Sequence, residues 1–167
     1  VRRPVRKIRV CAAQYMMRRL ADWHAFENQV EFYVHTASEY HCHFLLFPEL
    51  FTVQLFSLMD PGITPKQAIE QLADMTPQYL ELLTEAAKRT GLFIIGGSHP
   101  IRQEDGRIRN VAHLFAPSGA VHTQDKLHIT PNERVEYGIA PGEGIKVFET
   151  SHARIAIEVC YDVEFPE

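Results

Sequence analysis

The chain has 167 residues, enough for one compact domain with a real core. Its 17 basic and 21 acidic residues give a net charge of −4, which argues against nucleic acid or an anionic membrane as the main partner. Three widely spaced cysteines, Cys11, Cys42 and Cys160, form no CxxC or finger-like spacing, so a disulfide framework and a zinc module are both disfavoured. Reduced thiols in a cytoplasmic protein are the simple reading.

The chain opens on Val1, and residues 1–6 are basic, with Arg2, Arg3 and Arg6. No long apolar run follows, so this stretch reads as a solvated linker or the remnant of something upstream, not as a signal peptide or membrane span. Lys7 to Gln14 reads as a buried first strand. From Trp23 to His41 a helix is expected, with Phe26, Val30, Tyr33, Ala37 and Tyr40 making one apolar face. "HFLLFPEL" is a second strand stopped by Pro48. Thr64-Pro65 and Thr76-Pro77 each read as an N-cap followed by proline at the first helical position. The second opens a helix that Gly91 ends.

"LFIIGGS" is a third strand. "RNVAHLFAPSGAVHTQD" reads as a hairpin turning at Pro117-Ser118-Gly119. "IKVFET" and "ARIAIEVC" form another pair, joined around Ser151-His152. The order β-α-β-α-β followed by paired strands implies an α/β fold with a mixed sheet. "PNERVEYGIAPGEG" is the most irregular region and the best candidate for a functional loop.

Three polar residues follow apolar strands, where side chains converge at one rim of a sheet: Glu49 after "FLLFP", Lys126 after "AVHTQD" and Cys160 after "ARIAIEV". They form a coherent chemical set. A free thiol titrates near about 8.5, so attack on an amide or nitrile needs a base. A carboxylate titrating near about 4.3 in water is a poor one, and burial improves it. A fixed cation favours the thiolate and stabilises the oxyanion of a tetrahedral intermediate. The Tyr161 N–H, next after the cysteine, is a natural second donor. A buried cysteine that merely packs is the competing explanation.

These segments resemble the carbon–nitrogen hydrolase family, also called the nitrilase superfamily. Its members carry Glu in an FPE turn, Lys in a K-x-H stretch and Cys in a CYD-x-x-FPE stretch. The matching stretches here are "LLFPEL", "DKLHITPNE" and "VCYDVEFPE". Their order and separation agree, as do the "AAQ" ending of the first strand and Pro141-Gly142. The resemblance runs from Lys7 to Glu167. It implies Glu49 as base, Lys126 as electrostatic stabiliser and Cys160 as nucleophile, with no metal or organic cofactor. It also implies a second glutamate after the lysine. Glu133, in the "ER" stretch, is the choice, with Glu136 as an exposed loop carboxylate.

The resemblance further implies an α-β-β-α four-layer sandwich of which residues 7–167 supply the N-terminal portion, the C-terminal part being absent and the chain stopping just after the nucleophile elbow. Such a piece by itself is expected to be inactive. Two departures from the family pattern stand out: Gln124-Asp125 where many members have Tyr-Arg, and Glu164 where many have Arg. The wording is nearest to a branch in which an acetyltransferase domain precedes the hydrolase. The implied activity is hydrolysis of a small-molecule amide or nitrile, with acyl transfer to an amine and a non-catalytic interaction domain as alternatives. The implied complete protein is a homo-oligomer.

Other residues read more blandly. His41-Cys42-His43 is a helix end with partly buried histidines, with no further metal ligand placed by sequence. His128 falls in the lysine motif and is expected beside the site. Asn110, ahead of a strand, either braces the site or closes a turn. Asp162 is expected to fix the elbow. Gly96-Gly97-Ser98 lacks the Gly-Lys-Ser/Thr of a phosphate loop.

Overall fold

The structure, a computed structural model, describes residues 7–166, so the basic opening and Glu167 lie outside the described residues. The main sheet has the order β1-β2-β3-β4-β5 (Val10–Ala12, Phe44–Leu46, Phe93–Arg102, Ile108–Phe115, Val121–Asp125), and β6 (Ile139–Ala140) joins β4. The first three strands are parallel and the β3-β4-β5 pairings antiparallel. Helix α1 (Trp23–Glu39) connects β1 to β2, and α2 (Pro65–Asp74) and α3 (Thr76–Thr90) precede β3. The arrangement is the mixed α/β sheet that the order of elements implied.

The helices bury one face of the sheet. Phe26, Val30, Val34 and Ala37 of α1 and Leu83, Ala86 and Ala87 of α3 form one core with Leu45, Phe47, Ile94 and Phe115. Their spacing in α1 is the 3.6-residue period expected of a half-buried helix. Val34 takes the core place expected of Tyr33, which is only half-buried, and Tyr40 lies past the helix with 68% of its surface exposed. On the opposite face, Phe44, Ile95 and Leu114 pack with Phe148 and Ile155 of a separate hairpin, β7 (Val147–Glu149) and β8 (Arg154–Ala156). An apolar groove of about 340 Å³ lies between that hairpin and the edge of the main sheet, lined by Val10, Phe44, Leu46, Ile95, Ile155 and Ile157.

Several local expectations change. The first strand is three residues long rather than eight, and it is not buried: Val10 is 55% exposed. It pairs only with β2, and Val10 faces the open groove while Cys11 faces the helices. Thr64 caps α2 through a full capping box with Gln67, but Thr76 does not cap α3. It is already helical, and its hydroxyl donates to the Ala73 carbonyl at 2.6 Å because α2 runs almost directly into α3. Gly91 ends α3 at φ 74°, in the left-handed region that glycine enters without a Cβ penalty. The hairpin turns where its Pro-Ser-Gly chemistry placed it, closed by bonds between Ala116 and Gly119 and between Ala116 and Ala120. His41 is exposed in a left-handed turn after α1, and His43 Nδ1 accepts from the Arg9 amide.

Tyr79, His99 and His113 form a buried polar cluster behind β3. The Tyr79 ring stacks on His99 at 4.5 Å, and its hydroxyl donates to the Gly96 carbonyl at 2.9 Å. Burial, helped by its neighbour His113, pushes His99 down to about 3, and burial pushes His113 down to about 4. Both rings are therefore neutral when folded and titrate near about 6.5 when unfolded. The unfolded chain binds more protons below that value, so this stability is complete above about pH 6.5 and drains away as pH falls toward the folded values. Urea unfolding of the full-length protein should show a lower midpoint at about pH 4.5 than at about pH 7, and His99→Phe should shrink the difference. An undiminished difference in the variant contradicts this account.

Candidate active site

Glu49 is placed by a tight approach of two backbones. Between Ile95 and Ser98 the β3–β4 register shifts, and Gly96 and Gly97 occupy the bulge. Gly97 has φ 59°, and a Cβ there would lie 2.1 Å from the Pro48 carbonyl oxygen, so no side chain fits. The approach lets Ser98 Oγ accept from the Leu50 amide at 3.0 Å. Leu50 itself is left-handed at φ 48°. The "FPEL" turn is thus pinned at both sides of Glu49, by Phe47 N to the Ile95 carbonyl and by Leu50 N to Ser98. Here the Gly-Gly-Ser stretch serves the glutamate turn.

Lys126 sits where the sheet divides. The β4–β5 ladder ends at Val111–Asp125, and β6 takes over beside Ile108 and Arg109. Lys126 N still donates to the Asn110 carbonyl at 2.8 Å, and its own carbonyl accepts from Gly142 N at 2.8 Å. A Cβ on Gly142 would lie 2.3 Å from the Asp125 Cβ, so Pro141-Gly142 packs directly on the lysine strand. Gln124 secures the same loop through Gly144 O and Lys146 N, and Asp125 pairs with Arg109 at 2.6 Å. That is the use this chain makes of the Gln-Asp departure.

The Lys126 side chain is 1% exposed and its ammonium lies 2.7 Å from Glu49 Oε1 and 2.7 Å from Glu133 Oε2. Burial by itself would lower the lysine pKa, but the hydrogen bonds it donates to Glu133 and Glu49 outweigh it and hold the group above its usual range. Glu133 is likewise penalised by burial, yet Lys126 and the Thr130 amide and hydroxyl bring its carboxyl below the usual range. Thr130 and Glu133 bond reciprocally, the T-x-x-E pattern of a capping box. That signal was present in "TPNE" and would have singled out Glu133 on local grounds. Glu136 is exposed. Asn110 lies within β4, not ahead of it, and its Nδ2 donates to Glu49 Oε1 at 2.9 Å and Glu133 Oε1 at 3.1 Å.

Cys160 is exposed and left-handed at φ 50°, a costly conformation for a residue with a Cβ. It does not stand directly on a strand end. β8 stops at Ala156, because β7 offers only three partners, and Cys160 opens a 3₁₀ turn, Cys160–Glu164. The turn is fastened by Asp162, which is 5% exposed. Its carboxylate accepts from Val159 N at 3.1 Å, Leu127 N at 3.1 Å and His128 N at 2.7 Å, and lies 3.1 Å from His128 Nδ1. One side chain therefore ties the cysteine turn to the lysine loop. Phe165 stacks on His128 at 3.8 Å across the same seam.

The cation does not win at the sulfur. Burial, the hydrogen bond and charge of Glu49, and the charge of Glu133 raise the Cys160 pKa, and Lys126 lowers it too little to compensate. The lysine's pull toward the thiolate is present but outweighed, so the thiol keeps its proton beside Glu49, the group expected to take it. Glu49 and Cys160 both line a cavity of about 180 Å³ whose other walls are mostly apolar, including Leu46, Ile95, Ala112 and Ile157. The structure thus brings Glu49, Lys126, Glu133 and Cys160 to one place, from the β2 turn, the β5 exit, a loop turn and the 3₁₀ turn.

The carbon-nitrogen hydrolase profile matches residues 7–167. A probable hydrolase of Bacillus subtilis is 44% identical over 160 residues, covering 96% of this chain and 31% of that protein. An omega-amidase of Danio rerio is 30% identical over 95 residues, covering 52% of this chain and 34% of its own length. Among solved structures, an amidase from Nesterenkonia sp. AN1 with acrylamide added at its active-site cysteine aligns with a TM-score of 0.75 and 26% identity, over 96% of this chain and 60% of that one. This chain belongs to the carbon–nitrogen hydrolase family, and its fold is that of the nitrilase superfamily. It spans about a third of the length of these curated relatives.

The bulge offers a clean test of how Glu49 is held. Gly97→Ala in the full-length protein adds both a positive-φ penalty and a backbone clash, and should cost about 1–3 kcal/mol of stability along with activity. Gly106→Ala, also at positive φ but with open space around it, is the control. Equal effects of the two substitutions contradict the close-approach argument.

Proposed function

We propose that the complete protein hydrolyses the carbon–nitrogen bond of a small amide through a thioester on Cys160. The observation that carries the reading is that Glu49, clamped through Lys126 to Glu133, is hydrogen-bonded to Cys160 and lines one small cavity with it. Glu49 takes the thiol proton as the sulfur attacks the carbonyl carbon. The developing oxyanion is held by Lys126 and the Tyr161 N–H. Collapse breaks the carbon–nitrogen bond, Glu49 returns the proton to the leaving nitrogen, and ammonia or an amine departs. Water then attacks the thioester, giving its proton to Glu49 and regenerating the thiol and a carboxylic acid. Glu133 keeps the lysine charged and in place.

A resting thiol beside a carboxylate suits this scheme, because proton transfer and attack occur together and only in the presence of substrate. Amides are favoured over nitriles by the amidase and omega-amidase names of the relatives. The Bacillus subtilis relative is about twice as long as the Nesterenkonia amidase, since the matching stretch fills 31% of one and 60% of the other. That leaves room for a further domain, and an upstream acetyltransferase is the arrangement proposed for the complete protein here, as a homo-oligomer in the cytoplasm.

Cys160→Ala in the complete protein should lower amide turnover by about ten-thousand-fold with folding intact. Turnover that survives rules out the mechanism. Products formed with a competing primary amine separate the two uses of the thioester: the free acid identifies hydrolysis, and an N-acylated amine as the main product identifies acyl transfer. A protein that binds amides but turns none over is the non-catalytic domain.

A further inference from the structure

Asn110 is wholly buried, and the chemistry above gives it no step. Yet it touches every polar member of the buried cluster. Its Nδ2 donates to Glu49 Oε1 at 2.9 Å and to Glu133 Oε1 at 3.1 Å, and its backbone carbonyl accepts from Lys126 N at 2.8 Å. The two carboxylates are therefore bridged twice, once by the lysine ammonium and once by a neutral amide. The Asn110 Oδ1 is buried without a hydrogen-bond partner among the described residues. A protein rarely leaves a buried acceptor unpaired. The reverse orientation is worse, because it would set that oxygen against two carboxylate oxygens. The orphaned oxygen is the consequence of turning both amide hydrogens toward the carboxylates.

The arrangement treats the two oxygens of Glu49 differently. Oε1 accepts from Lys126 and Asn110, which belong to the β5 exit and to β4. A carboxylate held through one donor can swing and offer either oxygen; one held at the same oxygen by two fixed donors cannot. Oε2 takes part in neither of these bonds, and the Glu49 carboxylate is also hydrogen-bonded to Cys160. We propose that Asn110 is a positioning residue: it bridges Glu49 to Glu133, fixes the plane of the Glu49 carboxylate, and reserves Oε2 for proton exchange with Cys160. This rests on Glu49 being the base of the reaction proposed above. Only a neutral double donor of this length serves. Aspartate would add a third carboxylate around one ammonium, and leucine would leave both carboxylates with one donor fewer.

The test is steady-state kinetics of the complete protein on a simple amide, with Glu49→Gln, Asn110→Leu and Asn110→Asp. Glu49→Gln should lose turnover; if it does not, the base reading and this proposal fall together. Asn110→Leu should lower kcat by about 10- to 100-fold, the penalty of a misplaced reacting group, with KM changed by less than about threefold. The acid limb of its rate profile should move to higher pH, since a carboxylate pair short of a donor takes up a proton more readily. Asn110→Asp should lose more. Loss of turnover in Glu49→Gln with an Asn110→Leu kcat within about twofold of wild type, or an unmoved acid limb, overturns the positioning role alone. Should the variants not fold, a crystal structure of the wild-type protein decides: Nδ2 within hydrogen-bond reach of both carboxylates supports the proposal, and Nδ2 beyond about 4 Å from either overturns it.

Discussion

An ammonium group almost without solvent contact, clamped between two carboxylates, is the constraint around which this domain is organised. A buried charge is tolerated only when its partners are delivered with good geometry. Lys126 receives one carboxylate from the turn after β2 and the other from the loop after β5, at 2.7 Å each. Those two points are far apart in sequence, so the backbone must bring them together rather than leave it to flexible side chains. The glycine bulge in β3 does this for Glu49, the Thr130 capping bonds do it for Glu133, and the departure of β5 from β4 aims the lysine between them. Removing one carboxylate would leave the buried ammonium with a single charged partner and one hydrogen bond fewer.

The cysteine is held differently. Lys126 and its partners are packed inside the sheet end, whereas Cys160 rides on a short, strained turn at the surface, fastened mainly by Asp162 and by the Phe165–His128 stack. The division has a chemical logic. The electrostatic part of the site gains strength from burial and rigidity. In the proposed mechanism Cys160 must remain open to substrate on one side while touching Glu49 on the other. Burial first, and then the two carboxylates of the cluster, whose charge exceeds that of its single cation, keep the proton on the thiol at rest.

Much of this was legible in the sequence, and for identifiable reasons. Turn and cap chemistry is local, so Gly91, Thr64-Pro65 and the Pro117-Ser118-Gly119 turn were readable from a few residues. Glu49, Lys126 and Cys160 stood out because they come after apolar stretches and fall in motifs with fixed order, and Glu133 through the family resemblance alone. What escaped was long-range. Nothing local distinguishes Thr76 as a continuing helical residue, since that depends on α2 ending at Asp74 with only Met75 between. Nothing in "KIRVCAAQ" reveals an edge strand, because burial there depends on what covers the far face. Gly96-Gly97 declared a special backbone but not its purpose, which appears only when Pro48 comes within 2.1 Å of the missing side chain. Asp162 was expected to fix the elbow, and bracing the site was one of two readings of Asn110, but the partners that each reaches across the fold, up to 35 and 23 to 61 residues away, were not legible.

The account stands on a covalent intermediate at one sulfur, and intact-mass measurement of the complete protein, quenched in acid during turnover of a slow amide, tests it most directly. The predicted result is a mass increase equal to one acyl group, mapped by peptide fragmentation to Cys160 and absent from Cys11 and Cys42. Steady turnover with no adduct on Cys160, or with the acyl group on another residue, would contradict it.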